Sequence, residues 1–130
     1  MTPFRFIPIV ALFGLLSVGA ALAAEGNAEN GEDVFKKCRA CHDVGADAKN
    51  KVGPLLNGII GRKPGTIEGF SYSDANKTAS EKGLVWSEAE LLTYLENPLK
   101  YMPGTKMAFA GLKDEQDRLD VIAYLKKYPK

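Results

Sequence analysis

The 130-residue chain is 45% hydrophobic and 25% charged, with 17 Lys+Arg against 16 Asp+Glu. These proportions exclude collagen-like, disordered and disulfide-dense chains and fit one small globular domain with a short extension. A formal charge of +1 supplies no basic excess for nucleic-acid binding. Two cysteines, one histidine, three methionines and one tryptophan limit metal or redox chemistry to a short inventory.

Arg5 is the only charge before Glu25, and the apolar run over 6–16 passes into a small-residue stretch over 17–24. A basic start, an apolar middle and a small-residue end read as a secretory signal peptide. Ala21 and Ala23 place cleavage after Ala23, so residues 1–23 leave and 24–130 form the domain. An uncleaved anchor is the alternative, because the uncharged run approaches the ~20 residues that span a bilayer. Pro8, Gly14, Gly19 and the lack of a long linker stand against it. Losing Arg5 from the 17 Lys+Arg leaves 16 to balance 16 Asp+Glu.

Residues 27–40 are expected to form a first helix, with Val34 and Phe35 apolar, acids at its start and Lys36 and Lys37 near its end, as the helix dipole favours. Residues 43–83 carry Gly45, Gly53-Pro54, Gly58, Gly61, Pro64-Gly65 and Gly69. That density of breakers predicts loops with at most short helical turns. Ser87-Glu88-Ala89-Glu90 reads as a capping box opening a helix through Leu91, Leu92, Tyr94 and Leu95, ended by Asn97-Pro98. A last helix is expected over 114–128, with Val121, Ile122, Tyr124, Leu125 and Tyr128 on one face. No period-2 pattern of useful length appears, so the chain is read as all-α and loop-rich.

Both cysteines and the single histidine fall in Cys38-Arg39-Ala40-Cys41-His42, a C-x-x-C-H run that reads as a c-type haem attachment site. Two thiols a helical turn apart can add to the two haem vinyl groups, and the adjacent imidazole then meets the iron as proximal ligand. A zinc site lacks its second ligand pair. A thioredoxin-like pair lacks its βαβ context. A plain disulfide needs no His42. The second axial ligand cannot be another histidine, which leaves Met102 or Met107. Met107 is preferred because it follows the turn Pro103-Gly104-Thr105-Lys106. A thioether ligand favours ferrous iron and fills the position that oxygen or peroxide would need.

With these residues in place the sequence resembles class I cytochromes c, in particular the periplasmic cytochrome c-two type related to mitochondrial cytochrome c, from about Gly31 to Lys127. Besides the cysteine run, the resemblance is carried by Gly53-Pro54-Leu55-Leu56-Asn57-Gly58, Gly61-Arg62-Lys63, Tyr72-Ser73-Asp74-Ala75-Asn76-Lys77, Tyr94-Leu95-Glu96-Asn97-Pro98 and the stretch 101–111. It implies a small all-α cytochrome c fold whose first and last helices pack around one covalent haem c, with Gly31, Phe35 and Tyr124 at their contact. It also implies axial ligation of the iron by His42 and Met107, with the Pro54 carbonyl accepting the Nδ1 proton of His42. Tyr94 would hydrogen-bond the Met107 sulfur, with Asn76 in the same network. Arg62, Tyr72, Trp86 and Thr105 would surround the haem propionates, and Phe109 would cover the haem edge. The length of 78–83 points to the bacterial branch, and Leu99 stands where relatives often carry lysine.

The implied function is a soluble, monomeric, periplasmic one-electron carrier. It would run from a quinol–cytochrome c oxidoreductase complex to a terminal oxidase, reaction centre or other reductase, docking at a haem edge ringed by Lys37, Lys51, Lys100, Lys106 and Lys113. A haem enzyme or gas sensor with an open distal position is the alternative, and a haem-free thiol–disulfide oxidoreductase is a third reading.

Overall fold

Five side chains each accept a hydrogen bond from a backbone N–H three residues on: Asn27, Ser73, Ser87, Asn97 and Asp114. Such caps satisfy N–H groups that a helix start leaves without partners, and each opens one helix. They are α1 (Ala28–Phe35), α2 (Asp74–Glu81), α3 (Glu88–Tyr94), α4 (Pro98–Tyr101) and α5 (Glu115–Leu125). The computed structural model describes Pro3, Gly19 and residues 24–130; apart from those two positions, the signal peptide expected over 1–23 lies outside the described residues. Among the described residues there is no strand, in agreement with the all-α expectation.

α1 and α5 cross in close contact. Gly31 makes this possible, since a Cβ there would stand 1.9 Å from the Asp120 carbonyl oxygen. Phe35 and Tyr124 pack with ring centroids 5.3 Å apart. Asp120 is buried at the same seam and accepts from the Asn27 N–H (2.7 Å) and from Gln116 Nε2 (2.8 Å). Val34, Phe35, Leu91, Leu95, Val121, Ile122 and Leu125 form the core between α1, α3 and α5.

Five expectations need correction. The first helix ends at Phe35 rather than Ala40, and residues 36–41 continue as tight turns in which the Cys41 and His42 N–H groups both reach the Cys38 carbonyl. The breaker-rich region holds a full two-turn helix, α2, between Gly69 and Gly83. The capping box forms only by half, because Ser87 caps Glu90 N while the Glu90 carboxylate goes to the Tyr101 hydroxyl. Asn97-Pro98 does not merely end α3; it starts α4, with Pro98 where no N–H is needed. The last helix ends at Leu125, before the expected Tyr128.

Candidate haem-binding site

The turn after α1, the loop over 52–59, residues 70–76 and the segment over 105–108 enclose one cavity, closed by α3 and α5. Cys38, Cys41 and His42 line it together with Pro54, Tyr72, Asn76, Trp86, Tyr94, Thr105 and Met107. Phe35, Ile59, Val121 and Leu125 supply an apolar floor. Ten of the eleven cofactor-binding residues expected from sequence therefore face one space. Arg62 is the exception: it is buried behind the wall, where its Nη1 donates to the carbonyls of Leu55 (3.0 Å) and Asn57 (3.2 Å).

His42 Nδ1 lies 2.7 Å from the Pro54 carbonyl oxygen, which accepts the Nδ1 proton of the neutral ring and leaves the Nε2 lone pair free to act as a ligand. Burial holds the His42 pKa below its ordinary value, against the pull of the Pro54 carbonyl; Arg62 and Lys51 add smaller downward contributions. The imidazole is thus neutral at pH 7, the form that binds a metal. The fit against this ring is tight, since a Cβ at Gly53 would stand 2.4 Å from His42 Cε1 and 2.8 Å from Nδ1. Cys38 and Cys41 are free thiols, and burial pushes the Cys38 thiol up to about 11, against Lys37.

Met107 is delivered by a turn. The Thr105 N–H donates to the Met102 carbonyl at 3.0 Å, and Gly104 has φ +88°. With Pro103 before it, this is the type II pattern that calls for glycine in its third place. The Met107 N–H then donates to Thr105 Oγ1 (3.2 Å), and the Tyr94 hydroxyl donates to Met107 Sδ (3.0 Å). Met102 is buried in the core and does not line the cavity. Burial raises the Tyr94 phenol to about 12, with Thr105 opposing. Tyr94 therefore keeps its proton, and its donor role, through the neutral range.

The other expected side chains have partners within the protein. Asn76 lines the cavity, but its Nδ2 donates to Ser73 Oγ (3.2 Å) rather than toward Tyr94. The Tyr72 hydroxyl accepts the Ile67 N–H (3.1 Å). Trp86 packs on Tyr94 with centroids 4.7 Å apart. Phe109 is half-buried just beyond Met107 and does not line the cavity. Sequence reasoning passed over Gly53 as a cradle for the ring, and over Ile59 and Phe70 as cavity wall. A signal existed in Gly53, which precedes Pro54, the residue whose carbonyl accepts from His42. Ile59 and Phe70 carried none beyond being apolar in a chain with little core.

The donor set suits a planar iron cofactor: two thiols a turn apart, a neutral oriented imidazole and a thioether, all on one largely apolar space. The family comparison decides the matter, because the family model described as Cytochrome c matches residues 28–129. The chain belongs to the cytochrome c family. It is 53% identical over 119 residues to "Cytochrome c2" of Blastochloris viridis, covering 90% of this chain and 91% of that protein. It is 60% identical over 98 residues to "Cytochrome c-550" of Ancylobacter novellus, covering 75% and 92%. Among solved structures, cytochrome c2 from Rhodospirillum centenum superposes with a TM-score of 0.77 at 45% identity, over 81% of this chain and 100% of that one. As a cytochrome c, the chain binds covalent haem c, with Cys38 and Cys41 supplying the C-x-x-C-H pair, and it is an electron carrier rather than an enzyme.

Proposed function

We propose that this cytochrome c is a soluble periplasmic one-electron carrier whose iron is held by His42 and Met107. The bound haem supplies a metal centre that changes by one electron; the chain's residues keep that change cheap in motion. Pro54 fixes the His42 ring, Tyr94 orients the Met107 sulfur, and apolar walls exclude water, which limits the rearrangement that accompanies each transfer. Arg62, Tyr72, Trp86 and Thr105 would meet the propionates, with the Arg62 cation close behind the wall, since buried carboxylates need donors or countercharge. The carrying observation is that His42 and Met107 line one cavity, each held by its own hydrogen bond, at 2.7 Å and 3.0 Å.

Export would follow cleavage after Ala23, leaving the carrier monomeric in the periplasm. Its donor would be a membrane quinol–cytochrome c oxidoreductase complex. Its acceptor would be a terminal oxidase, a photosynthetic reaction centre or another reductase. Lys37, Lys51, Lys100, Lys106 and Lys113 are exposed and would surround the docking edge. Val52, 79% exposed at the cavity mouth, gives that edge an apolar centre.

An absorption spectrum of the native and the denatured protein, oxidised and then reduced, tests the ligation. Haem retained on denaturation, with the weak red band of a sulfur-ligated ferric haem, is the expected result. Met107→Ala should abolish that band while Met102→Ala leaves it. Covalent haem without the band, or carbon monoxide binding to the reduced native protein, would move the reading to an open-site enzyme or sensor.

A further inference from the structure

Three aromatic rings run from the cavity wall to the surface. Trp86 and Tyr94 line the cavity. Tyr101 packs edge-on to Tyr94 with centroids 5.5 Å apart and lies 6.3 Å from Trp86. Half-buried Tyr101 also lines a separate, open groove between α2 and α4, rimmed by Lys77, Lys82 and Lys106. Its hydroxyl donates to Glu90 Oε2, the carboxylate that the capping box leaves unused. Burial and this carboxylate push the Tyr101 phenol up to about 12, so the proton rests on the phenol.

We propose that Tyr101 and Glu90 form a proton-coupled redox pair, through which a strong one-electron oxidant in the haem cavity draws an electron from the groove surface. A phenol that keeps its proton resists oxidation, because the radical cation it would form is a strong acid. A carboxylate already hydrogen-bonded to the hydroxyl lets proton and electron leave together. One electron leaves Tyr101 and passes by way of the Tyr94 ring to the oxidant, of the class that a hydroperoxide would generate in those molecules where the Met107 sulfur has left the iron. The Tyr101 O–H bond breaks as an O–H bond forms on Glu90. The products are a neutral phenoxyl radical, a carboxylic acid and an oxidant reduced by one electron. A small one-electron reductant such as ascorbate, arriving at the groove, returns the electron, and the proton goes back from Glu90.

The two inner rings cannot hold the radical as well. The Tyr94 hydroxyl donates to a thioether, Met107 Sδ, which does not accept a proton. Trp86 has no hydrogen-bonded carboxylate among the described residues. The oxidising equivalent therefore settles on Tyr101, away from Met107. This rests on the haem reading only for where the oxidant forms.

Ferric holoprotein treated with hydrogen peroxide and freeze-quenched should show a tyrosyl signal by electron paramagnetic resonance, and Tyr101→Phe should remove it. Peptide mass spectrometry of Tyr101→Phe should then find more oxidation at Tyr94 and Met107. Glu90→Gln retains a hydrogen-bonding side chain and the Ser87 cap to its backbone, but it cannot take the proton. It should slow radical formation about a hundredfold, the low end of what a positioned base contributes, and deuterated solvent should slow the wild type but not this variant. An unchanged red band and melting temperature in both variants would show that the site is intact. If Tyr101→Phe keeps the signal, or Glu90→Gln forms it at the wild-type rate, the pair is only a structural tie between α3 and α4. Should the chain prove haem-free, a photogenerated ruthenium(III) polypyridyl oxidant still measures how Tyr101 oxidation depends on Glu90, which separates the two failures.

Discussion

A methyl group at position 53 would stand 2.4 Å from His42 Cε1 and 2.9 Å from Nε2, well inside contact distance. The ring cannot retreat without stretching its 2.7 Å hydrogen bond to Pro54. Gly53→Ala should therefore lower holoprotein stability by about 1–3 kcal/mol, the usual cost of overpacking, and should also shift the reduction potential, because the imidazole is displaced. Thermal unfolding and redox titration on one sample check both. Tyr94→Phe removes the donor to Met107 Sδ. That hydrogen bond draws electron density from the sulfur, so its loss should lower the potential, with about 1 kcal/mol or less of stability changed. A potential that rises instead would mean the hydroxyl does not act on the sulfur. Both residues lie close in sequence to residues whose chemistry is readable on its face: C-x-x-C-H is contiguous, and the Pro103-Gly104 turn announces Met107. The Glu90–Tyr101 contact was not legible, because it spans α3 and α4 and competes with a capping box that the sequence spelled out just as well.

At the scale of elements, the same contrast appears between α5 and α2. α5 packs Val121, Ile122, Tyr124 and Leu125 inward, so its periodicity shows in the sequence. α2 buries no residue completely. No apolar period marks it, and only the Ser73 cap and the breaker-free run between Gly69 and Gly83 betray it. The seam between α1 and α5 has a polar clasp that hydrophobic patterning could not reveal. Asp120 is held below the ordinary carboxylate range, chiefly by the Asn27 N–H and then by Gln116, against burial. A depressed native pKa means that the anion's contribution is complete above the unfolded value of 3.8 and is lost as pH falls through the native value. Stability should thus fall off below about pH 4. Asp120→Asn keeps an acceptor but loses the charge, so it should cost about 1 kcal/mol at neutral pH and flatten that acid limb. Denaturant titrations of the two proteins between neutral and acidic pH test this; parallel curves would exclude Asp120 as the source.

For the molecule as a whole, net charge predicts little and its placement predicts more. The five lysines proposed around the docking edge differ in what already holds them. Lys37 lies 3.6 Å from the Asp117 carboxylate, which cancels much of its field. Lys51 Nζ donates to the Arg39 carbonyl at 2.5 Å, and Lys113 Nζ to the carbonyls of Glu96 and Ala110. Those contacts fix the position of each ammonium without neutralising it. Lys106 is likewise placed beside the Ser71 and Tyr72 carbonyls at 3.4 Å, on the wall of the cavity. Lys100 has no ion pair among the described residues, and its neighbour Leu99 is 49% exposed. Attraction to an acidic partner should therefore come mainly from Lys51, Lys100, Lys106 and Lys113. Charge reversal at Lys51 or Lys106 should slow bimolecular electron transfer with an anionic partner several-fold at low salt. Lys37→Glu should do less than either of these. The differences should shrink as the Debye length falls from ~30 Å at 0.01 M toward ~8 Å at 0.15 M salt. Stopped-flow rates across that salt range decide it. Equal effects for all three reversals would mean that net charge alone steers the encounter. Rates unchanged by Lys51→Glu and Lys106→Glu would place docking on another face, away from the cavity mouth where Val52 stands exposed.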